Sequence, residues 1–550
     1  MESLVTRIEQ AARGGRGITF IESAGADAYG AERVPWRRLH ADARRVAGAL
    51  QRHGAGPGAH VALLGPTTRE LVTTIQATWL TGATVVMLPL PLRLASIEEF
   101  VDATRTRVHN ADVDLVVLDR QLAAFIEPEP ADPPFVLLDE LVTEHATFRP
   151  AKEDPDALAV LQFTSGSTAD PKGVMLPHSR VLANIDGAAA AADLDPEHDV
   201  AVSWLPLYHD MGLIGLLTIP MATGTELVLA APQDFLASPA RWLRWMSDFR
   251  GTVTAGPNFA YALATRALAR MKGLDLSSWR IALNGAEPVD PGTVESFCAA
   301  AAPFGFDPRA VFCAFGMAEV AIAGTFPLPM SGMRVDTVER ASLETGRRVL
   351  PVPEGAPGSR TFARLGRPVP GLEIRIVDPA DGTPLPERVV GELEIRGSSV
   401  TTGYYRCPDA TDATLRDGWL RTGDLAYLVD GELVVCGRIK DVIIVGGRNV
   451  LPEDVERAVA NVDGVRAGNV IAFGAERRAG RESVVVVAET RDADPVAVRT
   501  AVADRVRDAV GIPAADVVLV APGTLPKTSS GKLQRSLCKS RYTEGLLEAV

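Results

Sequence analysis

The chain has 550 residues, of which 47% are hydrophobic and 23% are charged, and its formal net charge is −13. This length allows more than one domain and a large core, and the composition is typical of a soluble globular enzyme. The negative charge and the lack of basic stretches argue against a general binder of nucleic acids or anionic membranes.

The cysteines and the apolar segments indicate an ordinary cytoplasmic enzyme. The five cysteines are far apart and lack the Cys-x2-Cys or Cys/His spacing of a zinc site, so we interpret them as reduced thiols. The first four residues, MESL, carry an acidic residue and no apolar core, so we expect no signal peptide. The longest apolar run, residues 211–222, is too short to span a bilayer and contains Pro220.

Hydrophobic periodicity predicts the first elements of the fold. Helices are predicted at residues 37–53 and 70–81, and buried strands at residues 61–64, 85–88 and 113–118. Strands that alternate with helices imply parallel sheets covered by helices. Residues 127–155 are rich in Pro and Glu in parts, and we interpret them as a connecting surface segment.

Residues 161–173 form the most informative stretch, with the sequence LQFTSGSTADPKG. Gly166 lets the backbone turn where a side chain would clash. The neighbouring hydroxyl and N–H groups can donate to phosphate oxygens, and Lys172 adds a positive charge. Such a loop suits a polyphosphate that is held while one phosphorus atom is attacked. A few Ser, Thr and Gly residues alone would indicate a surface turn, and the loop does not fit the Walker A pattern.

The order Thr-Ser-Gly-Ser-Thr-x2-Pro-Lys-Gly resembles the phosphate loop of the adenylate-forming (ANL) superfamily. This superfamily contains acyl-CoA synthetases, luciferases, peptide-synthetase adenylation domains and fatty acyl-AMP ligases. Ala169 replaces the usual second glycine, so we expect reduced loop mobility. The resemblance assigns ATP binding to Thr164, Ser165, Gly166, Ser167, Thr168 and Lys172, with Thr168 also near the metal.

Residues 203–212, SWLPLYHDMG, resemble the superfamily's Pro-Leu-x-His-x2-Gly stretch. In that stretch the histidine ring lines the entrance for the acyl substrate, whereas a lone histidine would more simply be structural. The resemblance places Trp204, His209, Met211 and Gly212 in the substrate pocket. We count His209 among the catalytic residues for this position, and we do not expect it to transfer a proton.

Residues 234–243 and 254–261 are similar to the corresponding strings of fatty acyl-AMP ligases. The resemblance adds Gly256 and Pro257 to the pocket. A helix is predicted after Pro239, and its apolar face, Trp242, Leu243 and Met246, is more simply core than pocket. No acidic residue is clearly placed to bind an α-amino group, so an amino acid substrate is disfavoured.

Two strand-end motifs indicate the nucleotide site. Residues 284–288, NGAEP, and residues 315–319, FGMAE, each follow a strand-like run. An aromatic residue before glycine can stack on adenine, and Glu319 is a hard oxygen ligand suited to Mg²⁺. The second motif matches the superfamily's aromatic-Gly-x-Thr-Glu, with alanine for threonine as in acyl-AMP ligases. The resemblance assigns ATP binding to Asn284, Gly285, Ala286, Glu287, Phe315, Gly316, Met317 and Ala318, and it assigns the metal and a catalytic role to Glu319.

Residues 320–365 form a long connection, which could be an ordinary surface loop. In the superfamily context it looks longer than the same connection in typical CoA ligases. An insertion at this place is the mark of the fatty acyl-AMP ligase branch.

The string Arg-Thr-Gly-Asp at residues 421–424 is also typical of the superfamily. The resemblance assigns the ribose hydroxyls to Asp424, although a solvated turn aspartate is the simpler alternative for the residue alone. Arg438 would contact ribose or phosphate, and Lys440 would be the hinge between two domains.

The C-terminal part reads as a small α+β unit. Helices are predicted from Pro452 and at residues 495–510, and strands at residues 470–473 and 484–487. The last motif, PKTSSGKLQR at residues 526–535, resembles the superfamily's catalytic loop. By this resemblance Lys532 reaches the α-phosphate and the carboxylate, although a lysine in isolation would be solvated.

The resemblance covers roughly residues 36–542 and implies an α/β fold. A large N-terminal domain of helix-covered β-sheets, residues 1–438, would bind acyl group and ATP, and a small mobile α+β domain, residues 439–550, would carry Lys532. The implied enzyme is a fatty acyl-AMP ligase that converts a fatty or related carboxylic acid and MgATP to acyl-adenylate and pyrophosphate. The implied acceptor is the phosphopantetheine arm of an acyl carrier protein.

Two alternatives remain. An acyl-CoA synthetase would use CoA as the acceptor. A non-catalytic acyl- or carrier-binding homologue is disfavoured because Glu319, Asp424, Arg438 and Lys532 are all present.

Overall fold

The computed structural model describes residues 2–23, 28–91, 97–163, 171–345, 348–477, 481–492, 494–528 and 531–550. Its α-helices are Leu4–Ala11, Trp36–Arg52, Arg69–Thr81, Ile97–Asn110, Arg120–Ala123, Leu138–Thr143, His178–Ala191, Ile219–Thr223, Pro232–Ala237, Ala240–Asp248, Asn258–Leu268, Pro291–Ala301, Arg340–Thr345, Pro408–Thr414, Pro452–Val459, Pro495–Val510 and Arg535–Thr543. Shorter helical turns are Ala302–Phe304, Pro308–Ala310, Ala318–Val320 and Ile439–Asp441, and Met211–Thr218 is a π-helix.

A six-stranded sheet forms the first layer of the N-terminal part. Its strands lie in the order Phe135–Leu137, Leu115–Leu118, His60–Leu64, Thr84–Met87, Leu158–Phe163, Gly173–Pro177. All neighbours are parallel except the last pair, which is antiparallel. These last two strands flank the predicted phosphate loop, so its two ends lie side by side at the edge of the sheet.

A seven-stranded sheet forms the second layer. Its strands lie in the order Val311–Cys313, Ile281–Asn284, Val253–Gly256, Val200–Ser203, Glu226–Leu229, Gly17–Ser23, Tyr29–Pro35. All neighbours are parallel except the final pair. The carboxyl ends of parallel strands share one edge of the sheet, which is where α/β proteins place their ligands.

Antiparallel strands complete the fold of the chain up to residue 438. A five-stranded sheet consists of Leu372–Val377, Gly391–Gly397, Leu415–Arg416, Trp419–Val429 and Glu432–Arg438. Two smaller sheets consist of Phe315–Gly316, Ala323–Phe326 and Arg367–Pro368, and of Val335–Glu339 with Ser359–Ala363. The alternation of strands and helices therefore predicted the two helix-covered sheets but not these antiparallel ones.

The residues after position 442 have sheets and hydrophobic clusters of their own. A hairpin of Ile443–Val445 and Arg448–Val450 precedes a sheet of Val465–Arg477, Arg481–Thr490 and Asp516–Val520. Two clusters of buried apolar side chains consist of residues from this segment only.

One predicted surface segment is more ordered than expected. Residues 127–155 contain the strand Phe135–Leu137 and the helix Leu138–Thr143, so their interpretation as a plain connection was wrong. The short apolar run of this strand pairs with Leu115–Leu118 and adds an edge to the first sheet. The run is short and lies between Pro- and Glu-rich stretches, so it was not recognised as a strand in the sequence.

No helix in the part of the chain that the structure describes is both long enough and apolar enough to cross a membrane. The apolar run at residues 211–222 instead lies in the buried π-helix Met211–Thr218 and the short helix Ile219–Thr223.

Candidate active site

The carboxyl edge of the seven-stranded sheet brings several predicted residues together. Gly256 ends its strand opposite Asn284, and Asn284 pairs in turn with Cys313 of the next strand. Trp204 directly follows the strand Val200–Ser203. Residues predicted for the pocket and for the nucleotide therefore lie at neighbouring strand ends.

An aromatic cluster packs beneath the pocket side of this edge. The rings of Trp204 and Phe235 stack with centroids 3.7 Å apart and planes at 10°, and Trp242 meets both edge-on. Trp204 is only 3% exposed. A Cβ atom on Gly256 would lie 3.3 Å from the Trp242 indole, so the glycine keeps this contact close. Trp204 is therefore mainly a core residue, and Trp242 is core as expected.

His209, Asp210 and Gly212 form a tight polar turn before the π-helix. The His209 Nδ1 atom lies 2.5 Å from Asp210 Oδ1, which also accepts a hydrogen bond from the Met211 backbone N–H at 2.7 Å. A Cβ atom on Gly212 would lie 2.2 Å from the Pro206 carbonyl oxygen, so only glycine fits. The turn holds the His209 ring in a fixed direction, and π-helical segments recur at functional sites.

Lys532 reaches this turn from the other end of the chain. Its Nζ atom lies 3.5 Å from His209 Nε2, across 323 positions of sequence. Burial lowers the pKa of Lys532 below its usual range, while the Asp210 and Glu287 carboxylates act in the opposite direction. The structure thus places the predicted lysine beside the predicted pocket histidine.

Asp210 is a site residue that the sequence interpretation missed. Burial raises its pKa, but His209, Lys532 and the Met211 N–H outweigh burial and hold the pKa of Asp210 below its ordinary value. In the sequence it is one aspartate beside a more conspicuous histidine. Its contact with Lys532 depends on residues that are far apart in the chain.

Glu287 also faces Lys532. Its Oε1 atom accepts a hydrogen bond from the Phe259 backbone N–H at 2.6 Å. Burial raises the pKa of Glu287, and the Phe259 N–H and the Lys532 charge oppose this rise. Ala286, just before it, has a φ of +68°, a strained conformation for a residue with a side chain.

Two glycines permit tight packing of the nucleotide motifs. A Cβ atom on Gly285 would lie 3.0 Å from the Ala314 carbonyl oxygen, and one on Gly316 would lie 2.0 Å from the Ile322 carbonyl oxygen. The first glycine therefore serves close backbone packing in this structure. The half-buried Phe315 lies on the short strand Phe315–Gly316, and Met317 and Ala318 follow.

Glu319 is buried and held from two directions. Its Oε1 atom accepts a hydrogen bond from the Tyr404 hydroxyl at 2.9 Å, and its backbone carbonyl accepts one from the Thr401 N–H at 2.7 Å. Burial raises the pKa of Glu319, and the Tyr404 hydrogen bond opposes the rise.

Asp424 and Arg438 face each other on paired strands. The Arg438 Nε atom lies 3.0 Å from Asp424 Oδ1. Burial raises the pKa of Asp424, with Arg438 and Lys440 acting against it, and the Asp424 charge raises the pKa of Arg438. The two residues assigned to ribose and phosphate therefore form one ionic unit.

The predicted hinge lysine lies in the same charged region. Lys440 is in the turn Ile439–Asp441, and its pKa is lowered by burial and by the Arg438 charge, with a smaller effect from Lys172. The Lys172 Nζ atom lies 5.3 Å from the centroid of the Tyr404 ring. The other predicted phosphate-loop residues, Thr164, Ser165, Gly166, Ser167 and Thr168, lie outside the described residues.

Comparison with known proteins identifies the family. Residues 8–405 match the family model described as AMP-binding enzyme. The chain belongs to this AMP-binding enzyme family. It is an ATP-dependent, acyl-adenylate-forming ligase with the mixed α/β fold of the ANL superfamily, as the sequence motifs predicted.

Several relatives of this AMP-binding enzyme are similar over most of its length. The putative ligase Rv1013 of Mycobacterium tuberculosis (strain ATCC 25618 / H37Rv) is 40% identical over 514 residues, which cover 92% of this chain and 94% of the relative. A putative acyl-CoA synthetase of Caulobacter vibrioides is 34% identical over 561 residues, 99% of this chain and 96% of the relative. JamA of Moorena producens, a medium-chain-fatty-acid–[acyl-carrier-protein] ligase, is 37% identical over 410 residues, 72% of this chain and 69% of the relative.

A solved structure resembles the AMP-binding enzyme over its whole length. It comes from a study of fatty acyl-adenylate ligases of E. coli and L. pneumophila, and it matches with a TM-score of 0.92 and 31% identity. The match covers 99% of this chain and 98% of that chain.

Tyr404 is a second residue of the AMP-binding enzyme that the sequence interpretation missed. It follows a strand of the antiparallel sheet and meets Glu319, which lies 85 positions earlier. A single tyrosine after a strand has no chemical signature in the sequence. Tyr404 can be recognised only in the structure, where its hydroxyl meets the buried Glu319 carboxylate.

The long connection at residues 320–365 is folded in the structure. Its strands Val335–Glu339 and Ser359–Ala363 pair in antiparallel fashion, and the helix Arg340–Thr345 lies between them in sequence.

Polar contacts join residues 340–360 of this connection to the C-terminal part. The Arg360 Nε atom lies 2.9 Å from Asp454 Oδ1, and both side chains are less than 10% exposed. The Arg448 Nε atom donates to Glu344 Oε2 at 3.1 Å. The Arg340 guanidinium also donates to the Ala509 carbonyl oxygen.

Proposed function

We propose that this enzyme is a fatty acyl-AMP ligase. It activates a fatty or related carboxylic acid with MgATP and passes the acyl group to the phosphopantetheine arm of an acyl carrier protein. The position of Lys532 beside His209, Asp210 and Glu287 is the observation that carries the adenylation step.

In the proposed reaction a carboxylate oxygen of the substrate attacks the α-phosphorus of ATP. The new O–P bond forms as the bond from the α-phosphorus to the bridging oxygen breaks, and pyrophosphate leaves. A carboxylate is already ionised at neutral pH, so no general base is required. Lys532 stabilises the negative charges that meet in the transition state, in a site where desolvation strengthens the interaction.

The two carboxylates around Lys532 set its position. Asp210 and Glu287 approach the ammonium from the turn at His209 and from the motif at residues 284–288. The opposite charges favour the protonated form of the lysine against the effect of burial. His209 then lines the pocket and limits where the Lys532 ammonium can lie.

Glu319 fits a magnesium site. Among the hydrogen bonds of the described residues, Tyr404 engages Oε1 of Glu319, which leaves Oε2 for a cation. A bound Mg²⁺ would neutralise charge on the leaving phosphates and prefers such oxygen ligands. Thr168 is the second residue that we assign to the metal, by family resemblance.

Asp424 and Arg438 suit the ribose end of the nucleotide. Asp424 Oδ1 pairs with Arg438, so the second carboxylate oxygen can accept from the ribose hydroxyls. The remaining ATP contacts are proposed from the motifs at residues 284–287 and 315–318, whose backbones lie at the same sheet edge. Phe315 would stack on the adenine.

We place the domain boundary at the turn Ile439–Asp441. Residues 1–438 would form the adenylation domain, and residues 439–550 would form a small mobile domain that carries Lys532. The separate hydrophobic clusters of the C-terminal part support this division, because a domain has a core of its own.

The acyl substrate and the acceptor are proposed from different observations. The names of JamA and of the matched acyl-adenylate ligases support a fatty acid as the substrate. The name of JamA supports a carrier protein as the acceptor, and we propose that the contacts of residues 320–365 with the C-terminal part hinder the orientation that CoA ligation requires. The Caulobacter relative is named a putative acyl-CoA synthetase, so CoA is the competing acceptor.

ATP–pyrophosphate exchange with a series of fatty acids tests the adenylation proposal. We expect fatty-acid-dependent exchange by the unmodified enzyme. In Lys532→Ala, exchange should fall by about 10²–10³, the effect of one deleted charge contact in a water-excluded site. Lys539→Ala, an exposed lysine on the helix Arg535–Thr543, is the matched control. No exchange with any acid would favour the non-catalytic homologue.

A further inference from the structure

Arg535 lies three residues after Lys532 and has an unusual set of partners. Its Nη1 atom donates to Asp441 Oδ2 at 2.5 Å, and its Nη2 atom donates to Glu453 at 3.2 Å and to Glu456 at 3.0 Å. Its Nε atom donates to the Ala472 carbonyl oxygen at 3.0 Å. The side chain is only 17% exposed.

Arg535 directly follows the loop that carries Lys532. The loop is closed at its base, because the Gln534 N–H donates to the Pro526 carbonyl oxygen at 2.9 Å. Within it, the Thr528 N–H donates to the Lys532 carbonyl oxygen at 2.8 Å, and the Lys532 N–H donates to Thr528 Oγ1 at 3.1 Å. A shift of Arg535 would therefore be transmitted through these backbone bonds to Lys532.

The contact set of Arg535 includes the hinge turn. Asp441 is the last residue of the turn Ile439–Asp441 and directly follows Lys440. Glu453 and Glu456 lie on the helix Pro452–Val459, just beyond the hinge hairpin. The guanidinium thus joins the hinge, this helix and the lysine loop in one place.

We propose that Arg535 is a positioning residue that makes the Lys532 loop and the hinge turn one rigid unit. Lys532 then moves together with the hinge turn when rotation at the hinge brings it into or out of the adenylation site. This inference rests on the proposed function, because it assigns a role in the adenylation step.

The chemistry of the cluster requires arginine. Three carboxylates and one carbonyl oxygen accept from a single guanidinium, which offers five N–H donors in a planar fork. A lysine would keep the charge, but its one ammonium cannot reach partners on three separate segments at once. Burial raises the pKa of Glu456 to about 7, and the Arg535 charge opposes this rise.

Arg535→Lys and Asp441→Asn test the coupling from its two ends, and Arg505→Lys is the matched control. Arg505 donates from Nε to the Ala458 carbonyl oxygen at 3.3 Å within the same C-terminal part, away from the lysine loop. The readouts are kcat and KM for ATP in adenylation, transfer from preformed acyl-adenylate to the acceptor, and the melting temperature.

We expect kcat of adenylation to fall by about 10²-fold in Arg535→Lys, the effect of a misplacement of about 1 Å, with an unchanged KM for ATP. Transfer from preformed acyl-adenylate should persist, since the role that we propose for Lys532 is confined to the adenylation step. Asp441→Asn should reduce kcat in the same way, and the double variant should add little, because both changes break one link.

Three outcomes would overturn the inference. In the first, adenylation in both variants matches that of Arg505→Lys. In the second, adenylation, transfer and melting temperature fall in parallel, as a purely structural role requires. In the third, the two changes are additive. Failure of the unmodified enzyme to adenylate any acid would instead overturn the proposed function.

Discussion

At the residue scale, Asp424 shows how a family motif and a local contact combine. The string Arg-Thr-Gly-Asp indicated a ribose ligand, and the structure adds that Arg438 holds one carboxylate oxygen from the paired strand. A carboxylate held in this way can accept hydrogen bonds from both adjacent ribose hydroxyls. 2′-Deoxy-ATP lacks one of these two groups, the 2′-hydroxyl.

We therefore predict that Asp424→Ala weakens ATP binding and removes the preference for ATP over 2′-deoxy-ATP. Hydrogen bonds to a charged group contribute about 1.5–3 kcal/mol each, so the wild-type preference should be about tenfold or more. Comparison of KM values for the two nucleotides measures it. Asp430→Ala, at an exposed turn of the same sheet, is the control. A variant that still discriminates between the nucleotides would show that the ribose is bound elsewhere.

Tyr404 presents the opposite case, because only the structure identifies it. Tyr404→Phe removes the hydroxyl that donates to Glu319 and keeps the ring near Lys172. Loss of one hydrogen bond to a carboxylate should loosen the metal ligand by about 1.5–3 kcal/mol. We predict a rise of about tenfold in the Mg²⁺ concentration for half-maximal exchange, with little change at saturating Mg²⁺.

The neighbouring tyrosine provides a matched control. Tyr405 donates to Asp112 at 3.0 Å on the protein surface, so Tyr405→Phe should leave the Mg²⁺ dependence unchanged. Binding of Mn²⁺ with a non-hydrolysable ATP analogue, followed by electron paramagnetic resonance, gives a second readout that is independent of turnover. Equal Mg²⁺ dependence in both variants would show that Tyr404 does not support the metal site.

At the scale of elements, hydrophobic periodicity predicted several helices closely, and local signals at the ends of two of them agree with the observed bounds. The helix Arg69–Thr81 is capped by the Thr68 hydroxyl and stopped by Gly82 in the left-handed conformation, and it was predicted to within one residue. The helix Pro495–Val510, which Asp494 caps, was predicted with its observed bounds. Caps are local in sequence, so they can be recognised without the fold.

Other elements could not be predicted because their cause is not local. Residues 211–222 are apolar throughout, so no periodicity distinguishes the π-helix Met211–Thr218 from an ordinary core helix. Pairing of Val335–Glu339 with Ser359–Ala363 joins segments 20 or more residues apart. The meeting of Lys532 with His209 depends further on the orientation of the C-terminal part, which no motif encodes.

At the scale of the whole molecule, residues 320–365 contact the C-terminal part that we propose to be mobile. The buried pair Arg360–Asp454 and the pair Glu344–Arg448 both cross to residues after the hinge. These contacts exist in the orientation that places Lys532 in the site, so they favour adenylation over other orientations. A bias of 1.4 kcal/mol changes the ratio of two orientations by about tenfold.

Weakening these contacts should therefore raise CoA ligation. We predict an increase of about tenfold for Arg360→Met combined with Glu344→Gln, with adenylation largely unchanged. Asp454 keeps Arg457 as a partner at 3.3 Å, so the variant leaves no isolated buried charge there. Glu354→Gln, at an exposed position of the same connection, is the control. Unchanged CoA ligation in the double variant would show that the connection is not the obstacle.

Competition between the two acceptors tests the central claim most directly. The unmodified enzyme is incubated with a fatty acid, MgATP and equal concentrations of CoA and a holo acyl carrier protein, and the products are measured by mass spectrometry. The account predicts acyl-adenylate, transfer to the carrier protein and little acyl-CoA. Rapid, stoichiometric formation of acyl-CoA would contradict it and identify an ordinary acyl-CoA synthetase.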